Sequence, residues 1–215
     1  MSAAPNFWAS VLRTALEVSE RVPIAPLMKA AEKHRWKCDY NTGSIAADEA
    51  LYLAAIAQML QAKVIIEVGT FIGTSTMALA SADSVEAIYT CDSSNDCLPS
   101  GGVIHTFPKQ TSTVMLSALV KRQVRADLCF FDGHLSDKDA ELLLRLTGPD
   151  TVFTFHDYHY GPKIRKKKGG GTFMETLPRK GIGGVRLLQP LLPHHVLAEP
   201  MTGTTVAALV PKALA

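Results

Sequence analysis

The stretch Lys63–Ala80, KVIIEVGTFIGTSTMALA, constrains this chain more than any other. A short apolar run ends in an acid and a glycine and then restarts with helical spacing, which predicts a strand, a tight turn and a helix. Val64, Ile65, Ile66 and Val68 are β-branched, which suits a strand buried on both faces. Gly69 and Gly73 supply a turn that lets a ligand approach the backbone, and Thr74, Ser75 or Thr76 can cap the helix that follows. A second apolar run, EAIYTCD, ends in Asp92, where a βαβ unit places the acid that grips a ribose. One turn and one acid outline a crevice shaped for a nucleoside.

The turn reads E-V-G-T-F-I-G-T-S and does not meet the dinucleotide pattern G-x-G-x-x-G. Glu67 stands two places before Gly69, and a pyrophosphate wants N–H donors with no carboxylate nearby. A cationic ligand would welcome Glu67, and S-adenosyl-L-methionine carries a sulfonium and an ammonium beside its adenosine. On these residues the chain resembles the first motif of the class I S-adenosylmethionine-dependent methyltransferases. The resemblance implies that Glu67, Gly69, Thr70, Gly73, Thr74 and Ser75 form the loop that holds the methionine part of the cofactor, with Asp92 beneath its ribose. The alternative is an ordinary βαβ turn of an α/β protein.

Composition narrows the class. With 215 residues, 47% of them hydrophobic, the chain can bury a substantial core as one domain, 1–215. A net charge of +2 gives no field that would imply nucleic acid. Cys38, Cys91, Cys97 and Cys129 show neither C-x-x-C spacing nor a zinc pattern, so they read as reduced, structural thiols of a cytoplasmic protein. The first residues lack the basic and apolar regions of a secretory signal, and the uncharged stretch Ala50–Ala62 is too short to span a bilayer.

Asn6–Arg21 has the spacing of an amphipathic helix within an N-terminal helical extension, 1–38, that packs on the domain or on a second subunit; a homodimer is expected. A turn at Asn41–Gly43 precedes a helix over Ala47–Gln61 that leads into the first strand. This order of turn, helix and acid-V-G-T-x-x-G-x-S resembles the small-molecule O-methyltransferases related to catechol and caffeoyl-coenzyme A O-methyltransferases. The resemblance implies that Thr42 and Gly43 lie across the methionine end of the cofactor, against the alternative of a plain loop. Further on, GVIHTFPKQTSTVMLSALVKR reads as a third strand and a helix with Gln110, Thr111 and Ser112 between them. That junction faces the adenine in the same families, and Ser112 can also be the N-cap.

The fourth and fifth strands, ADLCFFDGH and DTVFTFHDYH, each finish in a carboxylate, Asp132 and Asp157, flanked by histidine. If these parallel strands are neighbours, the two aspartates start about 5 Å apart at the backbone. Two such acids share a proton or a cation, and a divalent metal, magnesium or another, is the second option. Catechol-type enzymes place metal ligands at these strand ends, which carries over to Asp132 and Asp157. Their third ligand falls on Tyr158 here and their catalytic lysine on Leu135, so the chain departs from the pattern at both places. His134, His156 or His159 can complete a site for a softer metal. As general base His134 comes first and His156 second, beside the aspartates; the alternative for each is a hydrogen bond that only fixes an aspartate. F-D-G-H with F-H-D is close to the D-G-x-H and H-D of looser relatives.

Residues 161–171, GPKIRKKKGGG, read as a flexible basic loop: a lid drawing an anionic small-molecule acceptor, or simply a solvated surface. The last apolar runs, around Met201–Thr204, read as an antiparallel hairpin. The fold expected is α/β, a Rossmann-like seven-stranded mostly parallel sheet of order 3-2-1-4-5-7-6 with a C-terminal antiparallel hairpin and N-terminal helices. The activity the resemblance implies is O-methylation of a small molecule with S-adenosyl-L-methionine as donor. The alternatives are an NAD(P)-dependent Rossmann oxidoreductase, for which the chain lacks Tyr-x-x-x-Lys, and a non-catalytic nucleoside-binding subunit.

Overall fold

The computed structural model describes residues 4–32, 44–93, 99–166, 172–201 and 204–215. Thr42, Gly43, Cys38 and Cys97 lie outside them. In chain order the elements are α1 (Pro5–Arg21), α2 (Ile24–Glu32), α3 (Ala47–Met59), β1 (Val64–Val68), α4 (Thr74–Ala80), β2 (Ala87–Asp92), β3 (Ile104–Pro108), α5 (Ser112–Lys121), β4 (Ala126–Phe131), α6 (Asp137–Leu146), β5 (Thr147–Phe155), β6 (Tyr160–Lys166), β7 (Thr172–Pro178), α7 (Lys180–Leu188), β8 (His195–Ala198) and β9 (Ala207–Pro211). The main sheet has seven strands in the order β3-β2-β1-β4-β5-β9-β8. β3, β2, β1, β4 and β5 run parallel, while β9 and β8 are antiparallel. Apart from the extra β6–β7 pair, this is the expected order.

Alternation along the strands sorts the core into two layers. Ile65, Leu128, Phe130, Val152, Ala208 and Val210 point to the face covered by α1, α3 and α4. Ile66, Val68, Cys129, Phe131, Phe153, Phe155 and Leu209 point to the face covered by α5, α6 and α7. Both sides of the central strands are buried, hence their continuous apolar runs. The free thiols Cys91 and Cys129 are part of this packing, and burial pushes Cys91 up to about 12. No helix among the described residues is long and apolar enough to cross a membrane.

Helix α2 begins at Ile24 and contains Pro26, because a proline in the first turn lacks only an N–H that the helix would leave unused. One expectation needs correction. The basic segment is not a loop over residues 161–166: these belong to β6, which pairs with β7 from Tyr160↔Pro178 to Lys166↔Thr172 in a separate two-stranded sheet. Backbone pairing with β7 asks for no particular side chains, whereas the density of lysine and arginine in KIRKKK reads as a solvated loop. Residues 167–171 lie outside the described part.

Helix α1 packs on the domain itself, through Phe7, Trp8, Val11 and Ala15 in the layer with α3. The Trp8 indole N–H donates to the Glu199 carbonyl at 2.7 Å, which ties α1 to the segment after β8. Trp8→Phe keeps the ring and strands that carbonyl, at a cost of about 1–3 kcal/mol. The expected result is a melting temperature lower by roughly 2–12 °C, since each kcal/mol moves it by about 2–4 °C at this chain length. An unchanged melting curve would show that the contact does not hold α1 in place.

Candidate active site

The turn after β1 is built by two glycines in the left-handed region. Gly69 has φ +98°, and a Cβ there would meet the Asp132 backbone at 2.8 Å. Gly73 has φ +85° and is the N-cap of α4. Only a residue without a side chain lets β1 turn off so close to the end of β4. The Gly69 N–H donates to the Cys91 carbonyl at 2.9 Å, and the Asp132 N–H donates to the Val68 carbonyl at 2.8 Å. The ends of β1, β2 and β4 are thereby locked to one another.

Glu67 does not face the ligand side. Its carboxylate is fully buried and accepts the hydroxyls of Ser75, Thr76 and Thr90, each at 2.5 Å. Burial pushes its carboxyl above the usual range, against the pull of those three hydroxyls. Strand parity explains the direction, because Glu67 shares the face of Ile65, beneath α4, while Val68 shares the face of Ile66. Thr70 is likewise buried against Thr90, and Thr74 accepts the Ser44 hydroxyl at 2.8 Å. The side chains of Glu67, Thr70, Thr74 and Ser75 therefore hold the turn in shape, where direct contact with a ligand cation was expected of Glu67.

A crevice of about 330 Å³ opens at the carboxyl edge of β1, β2 and β4, lined by Val68, Gly69, Cys91, Asp92, Ser93, Gln110, Thr111, Ser112, Asp132, Gly133 and His134. It is the position at which open α/β sheets take ligands, where the chain order reverses beside the first strand. Asp92 ends β2 at the crevice, and its Oδ2 accepts the Phe71 N–H at 3.0 Å. Thr111, not Ser112, caps α5, and its side chain accepts the Val114 N–H. The Ser112 hydroxyl donates to Asp139 at 2.9 Å, and Asp139 also accepts Thr113 at 2.6 Å. This leaves Gln110 with an amide at the same wall. A carboxylate at one strand end, an amide and hydroxyls at the next, and room in the range of small-molecule sites fit an adenosine-bearing ligand.

Beyond the crevice lies a cluster of charges. β4 and β5 are neighbours, but Phe131 pairs with Phe155, so the residue beside Asp132 is His156. The His156 N–H donates to the Phe131 carbonyl at 2.9 Å. Asp157 follows in the left-handed region at φ 57°, and its carboxylate turns back to 3.9 Å from His156 Nδ1. His156 Nδ1 is 2.8 Å from Asp132 Oδ1, and Nε2 is 3.1 Å from Glu49 Oε2. Carboxylates only accept, so both ring nitrogens donate and the ring is an imidazolium. Burial alone would lower its pKa, but the bonds to Asp132 and Glu49 prevail and raise it to about 10. Burial opposes ionisation of Glu49 too, yet His156 and the N–H groups of Ala46 and Thr205 hold it down at about 2. His156 is thus no general base at neutral pH; it is a cation pinned between two acids.

Lys180, the first residue of α7, enters the same cluster. Its Nζ lies 2.5 Å from Asp132 Oδ1 and 3.6 Å from Asp157 Oδ2. The close seat of α7 comes from Gly181, where a Cβ would fall 2.2 Å from the His156 carbonyl oxygen, and from Gly184, where one would meet the Phe155 ring at 2.8 Å. Tyr158, at the place of a third metal ligand, packs against the apolar layer, while its N–H donates to the Thr205 carbonyl. Asp132, His156 and Asp157 bring their ligand atoms within 4.8 Å of one another, a spacing that could hold an ion. The donors do not fit one as they stand: an imidazolium has no lone pair to give, and Lys180 already neutralises the carboxylates. His134, the other candidate base, is exposed and lines the crevice.

Sequence reading missed Glu49, Thr90, Asp139 and Lys180. The signals were faint: an acid in the first turn of α3, a threonine inside an apolar strand, a serine-to-aspartate capping box at α6, and a lysine before a glycine-spaced helix.

Solved structures share this architecture. The O-methyltransferase from Bacillus cereus in complex with SAH matches over 91% of this chain and 96% of its own, with a TM-score of 0.63 at 16% identity. The O-methyltransferase TomG from Streptomyces achromogenes, involved in tomaymycin synthesis and solved with SAM, matches over 86% of this chain and 89% of its own, with a TM-score of 0.57 at 20% identity. The fold is that of the class I S-adenosylmethionine-dependent methyltransferases. No protein-family model matches the sequence, and no curated protein is significantly similar to it.

Proposed function

We propose that this chain is an S-adenosylmethionine-dependent methyltransferase that methylates an oxygen of a small molecule. The observation that carries the reading is the crevice at the carboxyl edge of β1 and β2, with Asp92 at its wall, in a sheet of this order. The Bacillus cereus protein of the same fold was solved in complex with SAH, which supports a nucleoside-bearing ligand for this chain. The antiparallel end of the sheet, β9 and β8, speaks against a nicotinamide oxidoreductase, whose dinucleotide site adds parallel strands.

The bound donor supplies an electrophilic methyl group on a sulfonium. Asp92 accepts hydrogen bonds from the ribose hydroxyls, and Gln110 and Thr111 meet the adenine. Asp132 gives the sulfonium end a carboxylate, the part Glu67 was expected to play. The protein aligns the acceptor oxygen with the methyl carbon at about 3 Å and keeps water out, and that positioning is most of the catalysis. His134 takes the acceptor's proton as the new bond forms, because His156 has no free nitrogen. The basic sequence of the β6–β7 hairpin, which leaves the sheet just after Asp157, favours an anionic acceptor.

Titration calorimetry with S-adenosylhomocysteine and with NADH tests the reading. The expected result is binding of the first in the micromolar range, about −8 kcal/mol, and none of the second. NADH binding with no S-adenosylhomocysteine binding would overturn it.

A further inference from the structure

We propose that Lys180 is the acceptor-side cation of this enzyme, occupying from α7 the place between Asp132 and Asp157 where a divalent ion would be held, so that methyl transfer needs no metal. The inference rests on the methyl-transfer reading for its chemistry and on geometry for its place. Lys180 Nζ lies 2.5 Å from Asp132 Oδ1 and 3.6 Å from Asp157 Oδ2, bridging acids from the ends of two adjacent strands. Asp132 lines the crevice, and Lys180, paired with Asp132, keeps 25% of its side-chain surface exposed. The remaining charge is already assigned: His156 joins Asp132 to Glu49, and Glu49 accepts the Thr205 N–H and hydroxyl. Gly181 and Gly184 give α7 the approach that puts the lysine there, since a Cβ at either would collide with His156 or Phe155.

The chemistry needs one local positive charge. As the acceptor oxygen bonds to the methyl carbon, the electron pair of the breaking sulfur–carbon bond stays on sulfur and the hydroxyl proton passes to His134. Lys180 keeps its own protons and donates one hydrogen bond to the oxygen as negative charge builds there. A fixed donor aimed at developing charge does what a Lewis acid would do at the same point.

Manganese(II) binding to this 215-residue chain, read by the electron paramagnetic resonance of the free ion, tests the lysine's place without any methyl acceptor. Wild type is expected to leave manganese free at concentrations on the order of 1 mM. Lys180→Ala and Lys180→Gln open the carboxylate pair and should each bind it at least about tenfold more tightly, a gain of about 1.4 kcal/mol or more. Lys180→Arg, which keeps the charge, should show no gain, and Asp157→Asn added to Lys180→Ala should remove it. Micromolar manganese binding by wild type, or no gain in either neutral variant, would overturn the proposal. S-adenosylhomocysteine affinity, measured by calorimetry on the same samples, should stay within about threefold throughout, because the lysine faces the acceptor. Failure of every sample to bind it would overturn the methyl-transfer reading and with it the lysine's catalytic part, an outcome the manganese arm keeps distinct from a misplaced lysine.

Discussion

Asp92→Ala is expected to weaken S-adenosylhomocysteine binding by about a hundredfold. Asp92 ends β2 beside β1, at the wall of the crevice, and a ribose there offers it two hydroxyl donors. Hydrogen bonds to a charged group are worth about 1.5–3 kcal/mol each, and every 1.4 kcal/mol is tenfold in affinity. The substitution also removes the acceptor of the Phe71 N–H, which helps to shape the turn. Asp92→Asn separates the two effects, since it can keep that acceptor and loses only the charge. Its expected loss is about tenfold, with an unchanged melting temperature. Calorimetry on the three proteins is the check, and equal affinities would remove the nucleoside from this wall.

The second large effect is on stability. His156→Ala leaves Glu49 and Asp132 facing each other without the cation between them, with Asp157 close by and Lys180 reaching Asp132 and Asp157 but not Glu49 among the ion pairs of the described residues. Removing one partner of a buried ion pair costs about 3–5 kcal/mol, which lowers the melting temperature of a chain this long by roughly 10 °C. The loss has a pH signature. His156 is raised in the fold to about 10 from an ordinary 6.5, so it favours folding fully below 6.5 and progressively less as pH climbs to 10. Glu49 is lowered to about 2 from 4.5, so its contribution is complete above 4.5 and fades as pH falls through 2. The margin of wild type over His156→Ala should therefore be widest between those limits and shrink from pH 6.5 toward 10. Thermal melts at pH 6 and pH 9.5 measure it, and an equal margin at both would contradict the ion pair.

What the sequence disclosed and what it hid follow from range. The β1 turn, Asp92 and the strand order rest on local patterns, glycines at a reversal and apolar runs closed by an acid, and these have their expected places. Glu67 was legible in part: its parity with Ile65 sends it beneath α4, and the hydroxyls of Ser75 and Thr76 wait there. The acid pair was legible as two neighbouring strands each closed by an aspartate, but the register that sets His156 beside Asp132, with the left-handed Asp157 following, was not. Glu49 and Lys180 come from helices far away in the chain, and nothing in their neighbourhoods marks them as parts of one charge network. The β6 strand was masked by the lysines and arginine that made its segment read as a loop.

The central claim is that the crevice holds the adenosine of a methyl donor, and a crystal structure of the protein with S-adenosylhomocysteine tests it most directly. The account predicts the ribose hydroxyls within hydrogen-bond distance of Asp92, the adenine against Gln110 and Thr111, and the sulfur on the side of Asp132. A ribose turned away from Asp92, or a ligand bound elsewhere on the sheet, would contradict it.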